Sequence, residues 1–129
     1  MKCLANAFLN FNIKEYRKVL KYINKVEFTD IQDKFFARTL TARSYYELNE
    51  LETLLNFIES SKRFLVNNPS VSALSRIYIH NFFKYIKKIV LLKENKDPGK
   101  IFVLRKEIQR NKEISNTRWL LEKIDELKG

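Results

Sequence analysis

Apolar side chains recur along this chain at intervals of three and four, the spacing that lines one face of a helix. Ile13, Tyr16, Val19, Leu20 and Ile23 form one such stripe, predicting a helix over 13–26. Thr29 and Asp30 offer capping oxygens for a second over 30–48, carrying Ile31, Phe35, Phe36, Ala37, Leu40, Ala42, Tyr45 and Tyr46. Asn49 breaks that pattern. A helix over 50–66 follows with Leu51, Leu54, Leu55, Ile58 and Leu65, closed by Asn67, Asn68 and Pro69. From Ser70 or Ser72 to Asn95 no breaker intervenes, so one long helix is expected. It is apolar on two adjoining sides, Leu74, Ile77, Tyr78, Phe82, Tyr85, Ile89 and Leu92 on one and Ile79, Phe83, Ile86 and Val90 on the other. A helix of that kind is packed on both sides, here between the preceding hairpin and the two helices that follow. Arg76, His80, Lys84 and Lys87 fall on its polar stripe. Asp97 and Pro98 open a helix over 98–113, and Ser115 or Asn116 caps a last one over 116–128 with Trp119, Leu120, Ile124 and Leu127 turned inward. The first segment, 2–11, enters an apolar pattern already under way (Leu4, Ala7, Phe8, Phe11), which reads as the end of a longer arrangement.

Two of these segments repeat. Placed 35 residues apart, LNFNIKEYRKVLKYI (9–23) and SYYELNELETLLNFI (44–58) agree in apolar or polar character at thirteen of fifteen positions. Phe11 falls on Tyr46, Ile13 on Leu48, Tyr16 on Leu51, Val19 on Leu54 and Ile23 on Ile58. Each contains the end of one helix, a short polar turn and a striped second helix, the unit of an α-solenoid.

Residues 42–58 resemble the tetratricopeptide repeat: small Ala42, aromatic Tyr45, a turn at Asn49, then Leu51, Leu54 and Ile58. They depart from it where Leu54 stands for the family's usual Ala and Asn49 for its usual Gly, and the Trp and Leu-Gly signature of the first helix is missing. The preceding unit keeps only Ala7, Tyr16 and Ile23 in register, so a wider helix crossing than the family's is expected there. The resemblance implies an all-α fold, an α-α superhelix of antiparallel hairpins. Over 1–129 it implies a single helical domain, with two units in 1–69, the first incomplete. Residues 70–129, whose style is similar to the C-terminal part of uncharacterised bacterial tetratricopeptide-like proteins, become the cap that an open repeat face requires. The whole reads as the C-terminal part of a longer repeat protein.

Composition agrees with helices: two glycines and two prolines in 129 residues leave few positions for hairpin turns. No apolar run approaches the roughly 20 residues of a membrane span. The opening MKCLANAFL has too short an apolar part for a signal peptide, and a single cysteine excludes an internal disulfide, which makes the cytoplasm the default location.

Candidate chemistry is sparse. His80 has no carboxylate at helical spacing, Cys3 reads as a buried structural thiol, and no glycine-rich phosphate loop exists. Glu47, Glu50, Glu52 and Glu59 do not converge on one face, so a solvated acidic rim is expected rather than a metal site. Tyr45, Tyr46, Tyr78, Phe82 and Tyr85 lie within apolar stripes and read as core rather than as platforms for bases. No catalytic residue, metal or cofactor is expected.

Charge points to partners. The formal charge is +10, and residues 76–112 carry eleven basic side chains against Glu94, Asp97 and Glu107. The resemblance implies a protein-interaction module holding a peptide or partner helix in a groove. The residues between the core positions of helix 30–48 are Lys34, Arg38, Thr41 and Arg43, whose charge suits an acidic ligand. The alternative is nucleic acid or an anionic surface bound through Arg76, Lys84, Lys87 and Lys88.

Overall fold

A computed structural model describes residues 2–128, except for the side chains of Lys2 and Cys3. The buried thiol expected at Cys3 lies outside the described side chains. The described residues form seven α-helices and no strand: α1 Lys2–Asn12, α2 Tyr16–Asn24, α3 Ile31–Glu47, α4 Leu51–Val66, α5 Ala73–Glu94, α6 Pro98–Arg110 and α7 Thr117–Leu127. Among them no helix is long and apolar enough to cross a membrane.

Three helix starts follow from capping chemistry. Asp30 accepts from the amides of Gln32 at 2.7 Å and Asp33 at 3.4 Å, Ser72 accepts from the amide of Ser75 at 3.2 Å, and Asp97 accepts from Gly99 at 2.8 Å and Lys100 at 3.2 Å, with Pro98 in the first turn. Each satisfies amides that have no partner inside the helix. Asn116 is different: it takes the N-cap position of α7 in the left-handed conformation, φ 59°, and its side chain makes no capping bond.

The chain divides into two compact units, residues 1–64 and 65–129. In the first, α1 and α2 form a hairpin that α3 joins, around Ala7, Val19 and Leu40, all fully buried, with Phe11, Tyr22 and Ile23 against them. Edge-to-face ring pairs tie α3 to α4: Phe35 with Phe64 at 5.1 Å and Tyr45 with Phe57 at 5.7 Å between centroids.

The two hairpins close through the same turn. At the end of α1 the amide of Lys14 donates to Phe11 O at 3.0 Å and that of Glu15 to Asn10 O at 2.8 Å. At the end of α3 the amide of Asn49 donates to Tyr46 O at 2.9 Å and that of Glu50 to Tyr45 O at 3.0 Å. This is a Schellman closure, which needs a left-handed residue after the helix; Lys14 (φ 64°) and Asn49 (φ 58°) supply it. Every donor and acceptor in the second turn is 35 residues beyond its counterpart in the first. The core positions repeat likewise, with Ala7 and Ala42, and Val19 and Leu54, all fully buried. Because Lys14 takes the turn, α2 begins at Tyr16 rather than at residue 13.

In the second unit α5, α6 and α7 pack on one another. Buried Ile79, Phe82, Phe83, Ile86 and Ile89 of α5 join Ile101, Leu104 and Ile108 of α6 and Trp119, Leu120 and Ile124 of α7 in the unit's apolar interior. Two positions expected on the packed face of α5, Leu74 and Ile77, are exposed instead. They lie in its first two turns. Helix α6 ends at Arg110, three residues early, because Asn111 Oδ1 takes the amide of Glu113 at 2.8 Å and the following segment is drawn onto α5: Ser115 N donates to Tyr78 O at 3.2 Å and Asn81 Nδ2 to Glu113 O at 3.0 Å. Ile114 is buried in consequence.

Candidate functional site

The four side chains expected to face a ligand from α3 are built into the first unit to different depths. Thr41 is buried and its hydroxyl donates to Ala37 O at 2.8 Å, one turn back. Arg43 is buried with its guanidinium 4.7 Å from the centroid of Phe11, and its Nε has no hydrogen-bond partner. Burial pushes the Arg43 pKa down to about 10, against the raising effect of Glu47. Arg38 is half-buried; it donates to Ser61 Oγ at 2.9 Å and stacks over Phe64 at 4.3 Å and Phe57 at 5.2 Å. Its pKa is lowered by desolvation. Lys34 is half-buried. The expectation that all four lie outside the core is therefore corrected for Thr41 and Arg43: hairpin packing covers the α3 positions that period alone leaves polar.

Three of the four acidic positions are engaged by other side chains. Glu47 Oε2 accepts from Tyr16 Oη at 3.4 Å, Glu50 pairs with Arg17 at 2.7 Å and Glu59 with Lys62 at 3.6 Å. Tyr16 and Arg17 of the first hairpin thus meet the turn of the second.

The basic residues of α5 do not act as one set either. Arg76 donates to Leu65 O at 2.8 Å and Asn68 O at 2.9 Å, so it closes the carboxyl end of α4, where the last carbonyls lack partners. His80 and Lys84 are exposed, with the Lys84 ammonium 5.2 Å from the Tyr85 ring. Lys87 is half-buried. Lys88 is exposed, 5.6 Å from the Tyr85 ring, and pairs with Glu107 of α6 at 3.7 Å.

Lys88 stands at the rim of a feature that the spacing did not reveal. Helix α6 folds back along α5, and a cleft of about 510 Å³ opens between them. One wall is Lys88, Leu91 and Leu92 of α5, positions i, i+3 and i+4 of one stripe, with Asn95 just past the helix end. Its α6 wall is the stripe of Lys100, Val103, Leu104 and Glu107. Leu104 is buried and forms part of the floor, while Leu91 is 55% and Val103 59% exposed at the mouth. Phe102, 60% exposed, continues the apolar surface around α6 onto a second hollow beside Lys106 and Arg110. Lys106 covers the Phe102 ring at 5.5 Å. The volume lies within the roughly 300–1,000 Å³ of clefts that hold ligands. An apolar floor with exposed ammonium groups at its rim takes up apolar side chains flanked by anions. The one signal for it in the sequence is Val103, an apolar residue set between Lys100 and Glu107 on a charged stripe. The groups His, Cys, Asp and Glu form no cluster among the described residues that could hold a metal ion.

Comparison with protein-family models, with curated proteins and with solved structures yields no significant match to this chain.

Proposed function

We propose that this chain is a non-catalytic protein-interaction module of tetratricopeptide-like build, whose ligand is a peptide or helix held between α5 and α6. The observation that carries this reading is the apolar cleft with Leu91 and Val103 exposed at its mouth. A cleft of ligand size with exposed apolar side chains at its mouth supports docking of a partner. The duplicated hairpin, with its turns repeated bond for bond, supports a superhelical repeat ending in capping helices. The interaction surface moves from α3, where Thr41 and Arg43 are packed away, to the capping segment.

Selection from a displayed library of amphipathic helices tests the reading. Enriched peptides are titrated into isotope-labelled protein, and amide shifts are expected to cluster on residues 88–107, with binding abolished by Val103→Asp. No enrichment, or shifts confined to other helices, would remove the cleft as the site. The competing reading is binding of nucleic acid or another anionic surface through the basic face of α5; it loses Arg76, whose guanidinium is committed to the end of α4. Labelled duplex and single strands separate the two, since phosphate binding on duplex DNA weakens by about 0.9 log units per contact for each decade of salt.

A further inference from the structure

We infer that the occupant of the α5–α6 cleft is an acidic amphipathic helix, an inference that rests on the docking reading above. The walls are two helical stripes about two turns long, 88–95 and 100–107, or roughly 10 Å at 1.5 Å per residue. A ligand helix of about three turns spans them, and such helices insert apolar side chains spaced i, i+3 or i+4, and i+7. The flanks of that helix would face Lys88 and Lys100 at the cleft and Lys106 and Arg110 beside Phe102, opposed by the single carboxylate of Glu107. Rim charges that complement a partner steer its approach and reject partners of the wrong sign.

Other occupants fit less well. Duplex nucleic acid has no apolar side to fill a floor of Leu92 and Leu104 or to cover Leu91 and Val103 at its mouth. A lipid surface is flat and could receive Phe102 and Val103 but not enter the cleft. A second copy of this chain brings a formal charge of +10 to a face that is itself basic.

The experiment uses two synthetic peptide sets with the same Leu pattern, one carrying Glu on both flanks and the other Lys, with anisotropy read against the full chain. The Glu set is expected to bind at least about tenfold more tightly, since several exposed pairs of modest strength act together. Raising salt should narrow the difference. Lys100→Glu with Lys106→Glu, at two exposed positions, should weaken the Glu set by about tenfold and leave helicity unchanged. Glu107→Gln, which removes the competing carboxylate, should strengthen it. Equal binding of both sets, lost on Val103→Asp, would overturn the acidic assignment while leaving the docking groove intact. Binding of neither set, with uptake onto phosphatidylserine vesicles or a DNA duplex instead, would overturn both.

Discussion

Lys14 and Asn49, 35 residues apart, occupy the same left-handed position in the closing turns of two successive helical hairpins, at φ 64° and 58°. A side chain with a Cβ is disfavoured there by about 1–2 kcal/mol, less for asparagine, whose short polar group tolerates the region. Glycine removes that cost at the expense of about 0.5–1 kcal/mol of backbone entropy.

Lys14→Gly is therefore expected to stabilise the protein by about 0.5–1 kcal/mol, and Asn49→Gly by less. Denaturant midpoints compare the two directly. A destabilised Lys14→Gly would mean that the first turn does not hold the conformation of the second.

The repeated core makes a paired prediction. Leu54 and Val19 are both fully buried, one repeat apart. Leu54→Ala should cost about 2–5 kcal/mol and Val19→Ala somewhat less, as fewer methyl groups are removed. Leu55→Ala, at the half-buried neighbouring position, should cost less than Leu54→Ala, and thermal or chemical unfolding decides the order.

Arg43 holds its guanidinium against Phe11 with Nε unpartnered. Removing a buried charge while keeping the volume is often neutral or stabilising, so Arg43→Met should unfold within about 1 kcal/mol of the parent or above it. Arg43→Ala also loses the stem's packing and should cost about 2–4 kcal/mol. The pH dependence has a definite sign. Between about 10, the folded value, and the higher ordinary value of arginine, the folded state binds fewer protons than the unfolded one, so stability from this group rises with pH. The penalty of burying the charge is complete below that window, and the gap between Arg43→Met and the parent should narrow as pH climbs through 10. A gap constant from pH 8 to 11 would contradict the assignment.

Arg105 grips Asp125 with two bonds, Nε to Oδ1 at 2.7 Å and a terminal nitrogen to Oδ2 at 3.2 Å. That hydrogen bonding, with the charge of Arg105 and then Lys128 behind it, holds the Asp125 carboxyl below the usual aspartate range. A carboxyl-detected NMR titration should place its midpoint below that of an ordinary aspartate, and Arg105→Gln should raise it. Since the pair is exposed, Asp125→Asn should change stability little.

The order of helices was legible in the residues because their causes are local. Asp30, Ser72 and Asp97 carry their capping oxygens with them, Pro69 and Pro98 punctuate wherever the chain goes, and the apolar intervals of α2, α4 and α7 specify a face before any partner exists. The repeat was legible for the same reason, since its two turns need only nearby amides and carbonyls. What the tertiary structure decided was the fate of side chains whose neighbours come from afar. Arg43 is a polar residue on a helix until Phe11, 32 positions earlier, is laid across it. Arg76 belongs to a basic stripe until the carbonyls of Leu65 and Asn68 are brought to its guanidinium. Leu91 is unremarkable in its own helix and Val103 only an apolar residue between charges, and they become the two lips of one cleft only because α6 folds back along α5. Periodicity records which side a residue faces along its own helix. It does not record what stands opposite, and burial, pairing and the shape of a groove are all set by what stands opposite.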